Sequence, residues 1–384
     1  MVDVDPDRFE DFIINHDKTV FGMTDVPTFE GEDSDALIAN PWVSLARQAQ
    51  ETLEADIQYL AWLARKKVRS KKLCLAGGAA LNCIINQKLI ESGLFDEVYI
   101  RPAASDEGLP LGCALYGYYD KGGTVRHHMS DAYLGVPNDP ATLPAVLDKW
   151  QLKSSTASVQ EIAQLLADGK IIGRVAGGSE YGPRALGNRS ILADPRPADM
   201  KDRLNAEIKH REGFRPFAPS CLEDNIPDYF QSPAKSPFMV VAGTVREGER
   251  DQVPVVTHAD GSCRVQTVNR EQNQDYYELI EAFGELTGCP VLTNTSFNDR
   301  DEPIVETYDD AASCLLRTGL DALYVEGQLV ERTAGTPSLT SAQTLEATTT
   351  RVDTEYSNLI ERFCDVETYV KLAEELKAKE DAQN

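Results

Sequence analysis

The 384-residue sequence has no C-x-x-C pair, no H-E-x-x-H motif and only five histidines. Each lack removes a class of site. The eight cysteines (Cys74, Cys83, Cys113, Cys221, Cys263, Cys289, Cys314 and Cys364) are unpaired in spacing, so neither a zinc site nor a disulfide framework is expected. Several sit in apolar runs such as Leu73-Cys74-Leu75 and Gly112-Cys113-Ala114, which predicts buried thiols in a reducing cytoplasm. No stretch approaches the ~18 apolar residues of a membrane span. Met1 to Glu10 is acidic and lacks the apolar centre of a secretory leader. Basic charge is scarce: 38 Lys and Arg stand against 62 Asp and Glu, a net charge of −24. That balance opposes nucleic-acid binding, which needs a basic face to neutralise phosphates. The His127-His128 pair has no companion at ligand spacing and reads as surface; His16, His210 and His258 stand alone.

What is present suffices for two ordinary domains, because hydrophobic residues make up 42% of the chain. Residues 1–40 are acidic and loop-like. Ala46, Ala49, Leu53, Ile57, Leu60 and Leu63 recur at helical spacing, which predicts a helix over 42–68. A short strand at 73–76, a helix over 79–92, a strand at 97–100 and a small-residue helix over 110–119 follow. Alternating strands and helices imply a layered α/β unit with a parallel component. A domain boundary is placed near 150. Beyond it, Ser158 and Glu161 signal the start of a helix to 168. Strands are expected at 170–175, 238–244, 290–293 and 322–325, and helices at 276–287 and 309–318. Residues 333–352 read as a linker and 353–379 as a terminal helix.

Four motifs carry the chemistry. Gly77-Gly78 lies between a strand and a helix, where backbone N–H groups suit a phosphate and a plain tight turn looks the same. Ser105-Asp106-Glu107-Gly108 places two carboxylates after a strand, suited to a cation or a ribose, or to solvent. The run Gly177 to Ser190 surrounds Arg184 and Arg189 with glycines, and Lys209 to Pro219 adds Lys209, Arg211 and Arg215. Guanidinium forks match phosphate oxygens, and five cations beside Gly, Pro and Phe on so acidic a chain point to an anion site. Asn294-Thr295-Ser296-Phe297-Asn298 can read a nucleotide by hydrogen bonds, or form a turn.

Taken together, Gly77-Gly78-Ala79-Ala80-Leu81-Asn82, Tyr181-Gly182-Pro183-Arg184-Ala185-Leu186-Gly187-Asn188-Arg189-Ser190, Phe214-Arg215-Pro216-Phe217-Ala218-Pro219 and Asn294 to Asn298 resemble the O-carbamoyltransferases of nodulation-factor and antibiotic biosynthesis. The likeness runs over residues 40–330. It implies an α/β protein: the C-terminal half of an actin/hexokinase-like domain (1–150), a YrdC-like domain (151–332), then linker and helix (333–384). It implies that carbamoyl phosphate and ATP give carbamoyl adenylate in the YrdC-like module, and that the carbamoyl group passes to a hydroxyl of a small molecule. Lys209, Arg211 and Arg215 are then the catalytic cations. Arg184, Arg189, Asn294, Ser296, Asn298, Gly77, Gly78 and Asn82 are the nucleotide-side residues, and Asp106 is the metal ligand. The implied cofactors are ATP with Mg2+, and Fe2+ in the transfer domain.

The family's paired-histidine motif, which completes the metal site with Asp106, has no counterpart before Gly77. Glu107, Leu109 and Asp301 also depart from the family pattern. The expectation is therefore the larger part of an enzyme, cytoplasmic, with a separate subunit supplying the missing half or with homo-oligomers covering its exposed apolar surface. Two other readings stay open: an accessory subunit without catalysis, and a threonylcarbamoyl adenylate synthase, which the Tyr181-to-Ser190 run disfavours.

Overall fold

A computed structural model describes residues 42–126, 129–232, 234–300 and 302–336. His127, His128, Asp301, Cys364 and the expected terminal helix lie outside them. Helix α1 (Trp42–Val68) leads to strand β1 (Lys72–Leu75). A 3-10 turn at Gly78–Leu81 precedes α2 (Cys83–Glu91), followed by β2 (Glu97–Ile100) and α3 (Leu109–Asp120). The helix expected over 79–92 is thus broken at Asn82. That residue has extended backbone, and its side chain accepts the Ile85 N–H to cap α2. β1 and β2 pair in parallel as a two-stranded sheet. Ala61 of α1, Ile85 and Leu89 of α2, and Phe95 bury one face of it.

Among the described residues this layer is covered on one side only. None of the twelve residues of α3 is buried; Leu109 is 62% and Tyr116 75% exposed. Cys74 and Cys113 are exposed, contrary to the expectation of buried thiols. The reason is positional: Leu73 and Leu75 face the α1–α2 layer, while Cys74 points to the other face of β1, and among the described residues no second layer packs on that face or on α3. Cys221, Cys263, Cys289 and Cys314 are buried as expected.

Helix α4 (Leu143–Trp150) opens the second part of the unit. Its strands are β3 (Leu152–Thr156), β4 (Ile172–Val175), β5 (Arg189–Ala193), β6 (Ala218–Leu222), β7 (Phe230–Gln231), β8 (Gly243–Val245), β9 (Ser262–Cys263), β10 (Gln266–Val268), β11 (Val291–Ser296), β12 (Ala322–Val325) and β13 (Gln328–Arg332). Its helices are α5 (Val159–Ala167), α6 (Met200–Arg203), α7 (Ile226–Tyr229), α8 (Gln274–Thr287) and α9 (Tyr308–Arg317). Eight strands form one mixed sheet in the order β10-β6-β11-β5-β4-β12-β13-β3, with β10/β6 and β4/β12 parallel. Helices α5 and α8 close one face through Ile162, Leu166, Leu279, Ile280 and Phe283. Ser158 and Glu161 form the capping box that starts α5.

Phe238–Ala242 is buried but is not a strand, contrary to expectation. Its backbone finds partners on α2 instead of on a neighbouring strand. The Asn86 amide donates to the Val240 carbonyl at 2.7 Å, and the Ala242 N–H donates to the Cys83 carbonyl at 3.1 Å. This segment, with Leu186 and Ala218, shares a core with Ala80, Ile100 and Ala104. A third sheet, β7-β8-β9, is separate; the two-stranded and eight-stranded sheets adjoin along the glycine- and arginine-rich segments. Among the described residues, no helix is long and apolar enough to cross a membrane.

Candidate functional site

Helix α6 runs into a π turn, Leu204–Ile208, and Lys209 follows at once. Such turns add one residue to a helix and re-aim what comes next. Lys209 Nζ lies at 2.7 Å from the Ser296 carbonyl, 3.2 Å from Ser296 Oγ, and 2.8 Å from both the carbonyl and Oδ1 of Asn298. An ammonium has three protons, so all are committed. Lys209 is a strut that fixes the end of β11; what it lends an anion is charge rather than a spare donor. Arg211 Nε donates to Asn205 Oδ1 at 2.8 Å, and its guanidinium stacks on Phe217 with 4.8 Å to the ring centre. Arg215 pairs with Glu212 at 3.1 Å.

These groups line a cleft of about 200 Å³ with Ser296, Asn298, Asp299 and Arg300. Four cations (Lys209, Arg211, Arg215, Arg300) face two carboxylates (Glu212, Asp299), leaving a local excess of two positive charges on a strongly negative chain. Burial, followed by the Arg211 charge, pushes Lys209 down to about 7. Burial and the Arg215 charge lower Arg211 to about 10. Both shifts mark cations held without full compensation, the condition an arriving anion relieves.

That gives a pH dependence. An anion in the cleft raises the Lys209 pKa, so affinity is full below about pH 7 and declines as pH rises through it, by up to about tenfold per unit. Titration of sulfate, whose charge is constant between about pH 6 and 9, is expected to show this loss. A flat profile would remove Lys209 from the site.

Of the residues expected from sequence, Lys209, Arg211, Arg215, Ser296 and Asn298 come together here. Arg189 does not: it is fully buried in β5, and its guanidinium donates to the carbonyls of Ala176, Gly177, Asn188 and Glu306. Asn294 is also buried, donating to Ala185, Ser220 and Gln266 beneath the Arg184 loop. Asn82 caps α2. Gly77 takes φ +96°, and its N–H reaches the Ala104 carbonyl at 2.6 Å, tying the diglycine turn to the loop that bears Asp106. Asp106 is exposed, and among the described residues no three His, Cys, Asp or Glu side chains gather to hold a metal.

Arg264 escaped the sequence reading. Burial, followed by the Arg184 charge, lowers it to about 10, and Arg211 adds to the effect. The Nε atoms of Arg184 and Arg264 are both buried without a hydrogen-bond partner. Mutually repelling arginines with unused buried donors are an anion-binding arrangement. The available signal was an arginine inside the apolar run Cys263-Arg264-Val265. His210 was also missed. Its backbone is left-handed at φ +41°, and Nδ1 lies 2.6 Å from Asp299 Oδ1, pinning the Lys209–Arg211 segment to the far wall of the cleft.

Comparison with known proteins adds an independent observation. Residues 163–332 match the family described as Carbamoyltransferase C-terminus, and residues 42–115 match Carbamoyltransferase N-terminus. Nodulation protein NolNO of Sinorhizobium fredii is 43% identical over 303 residues, covering 76% of this chain and 44% of the relative. Nodulation protein NolO of Bradyrhizobium diazoefficiens is 44% identical over 293 residues, covering 74% and 53%. An uncharacterized protein of Synechocystis is 38% identical over 323 residues, covering 76% and 52%. The chain thus spans about half the length of the curated relatives it matches.

Proposed function

The chain belongs to the carbamoyltransferase family, and from that premise we propose that residues 151–332 form carbamoyl adenylate from carbamoyl phosphate and ATP, for transfer to a hydroxyl of a small molecule. The observation that carries this is the cation-rich cleft at Lys209, Arg211, Ser296 and Asn298. Carbamoyl phosphate and water give carbamate and phosphate; carbamate oxygen then attacks the α-phosphorus of ATP, and pyrophosphate leaves. Negative charge grows on phosphoryl oxygens, and fixed guanidinium donors stabilise it most where they need not reorganise. Arg211, held by Asn205 and Phe217, meets that requirement. Lys209 keeps Ser296 and Asn298 in place for the nucleotide.

In this reading the eight-stranded module is the YrdC-like domain, and residues 42–120 are part of an actin/hexokinase-like domain. Asp106 would be one ligand of a metal such as Mg2+ or Fe2+. The described residues do not supply a full set, so no step is routed through a metal. Among the described residues nothing covers α3 or pairs with the outer edges of the β1–β2 pair, which suits a further polypeptide layer, from a separate subunit or a second copy.

The test is exchange of labelled pyrophosphate into ATP that depends on carbamoyl phosphate. Exchange by the folded chain is expected. None, even with a polypeptide carrying the remaining half of a relative added, would end the reading.

A further inference from the structure

The loop that carries Arg184 is built around a carboxylate from its own first residue. Glu180 Oε1 accepts the backbone N–H of Leu186 at 2.7 Å, of Asn188 at 2.8 Å and of Arg189 at 3.3 Å. One oxygen therefore closes the turn at its base. Next to it the Tyr181 hydroxyl donates to the Glu107 carbonyl at 2.7 Å. Gly182, at φ +134°, lies so near Pro102 that a Cβ there would stand 2.8 Å from its carbonyl oxygen. Arg184 lies between these two fastenings, with a buried Nε that no protein group satisfies.

We infer that Glu180 is a positioning residue: its Oε1 takes up three of the loop's own N–H groups, and thereby holds Arg184 ready for an external anion. The inference rests on the anion-site reading above. It also accounts for an otherwise odd placement, a carboxylate within a segment meant for anions. Without Glu180, the three N–H groups would compete for the ligand or let the turn open, and Arg184 would lose its fixed aim. Burial lifts the Glu180 carboxyl above the ordinary carboxylate range despite these three donors. What the three N–H groups require is an acceptor oxygen at Oε1, which a neutral amide isostere also supplies.

The experiment is a calorimetric titration of inorganic pyrophosphate into wild type, Glu180→Ala, Glu180→Gln, Arg184→Ala and the Glu180→Ala/Arg184→Ala double variant. Glu180→Ala is expected to weaken binding by about tenfold, while Glu180→Gln stays within about threefold of wild type. The double variant should bind no more weakly than Arg184→Ala, because Glu180 acts through Arg184. Wild-type affinity in Glu180→Ala, or losses that simply add in the double variant, would overturn the inference and leave the anion site standing. No binding by wild type would sink both. If Glu180→Ala does not fold, Glu180→Asp, which withdraws the oxygen by one methylene, carries the same expectations.

Discussion

Arg211→Ala is expected to lower carbamoyl-phosphate-dependent pyrophosphate exchange by about 10²–10³-fold, with little change in stability. The magnitude follows from losing one preorganised donor where charge develops, in a site partly removed from water. Arg211 is well prepared for that role, because Asn205 and the Phe217 ring fix both its end and its plane. Lysine should not rescue it: an ammonium cannot both stack on Phe217 and present a planar fork. Steady-state exchange rates, with denaturation midpoints as a folding control, decide the matter. An Arg211→Ala chain exchanging at the wild-type rate would move the chemistry out of this cleft.

Arg189→Ala should do the opposite. It is expected to cost about 3–5 kcal/mol of stability, a large part of a typical domain's total. Four backbone carbonyls, those of Ala176, Gly177, Asn188 and Glu306, take their hydrogen bonds from this one guanidinium. The Asn188 carbonyl keeps the Ala176 N–H and the Glu306 carbonyl keeps the Asn138 amide, but removal strands those of Ala176 and Gly177 and opens a cavity at the head of β5. Arg215→Ala, at a half-exposed side chain, should stay within about 0.5 kcal/mol. Urea denaturation of the two variants separates the cases. Equal midpoints would show that Arg189 is not the internal strut described.

Both arginines stand in motifs that look alike on paper, and this marks where the sequence was legible. Local patterns were: α1, β2 and β12 lie where spacing and apolar runs placed them. The grouping of Lys209, Arg211 and Arg215 with Ser296 and Asn298 was also readable, because the motifs recur together in a known family. Long-range partners were not. Whether an arginine is spent on carbonyls depends on Ala176 and Glu306, which lie on either side of Arg189 in the chain and meet only in the fold. The same holds for Phe238–Ala242, whose hydrogen bonds go to α2 from more than a hundred residues away. Arg264 showed in the sequence only as a charge between Cys263 and Val265; the Arg184 and Arg211 charges that mark it meet it only in the fold.

The π turn before Lys209 bears on how this chain can change length. A helix advances about 100° per residue, so losing one residue from Leu204–Ile208 would swing Lys209 off the end of β11. Arg211, whose N–H bonds to the Asn205 carbonyl, would follow it. Insertions and deletions are therefore barred between Met200 and Phe217, however exposed Gly213 and Phe214 look. The exposed turn residues Glu247 and Gly248 lie outside the cleft and are where length can vary.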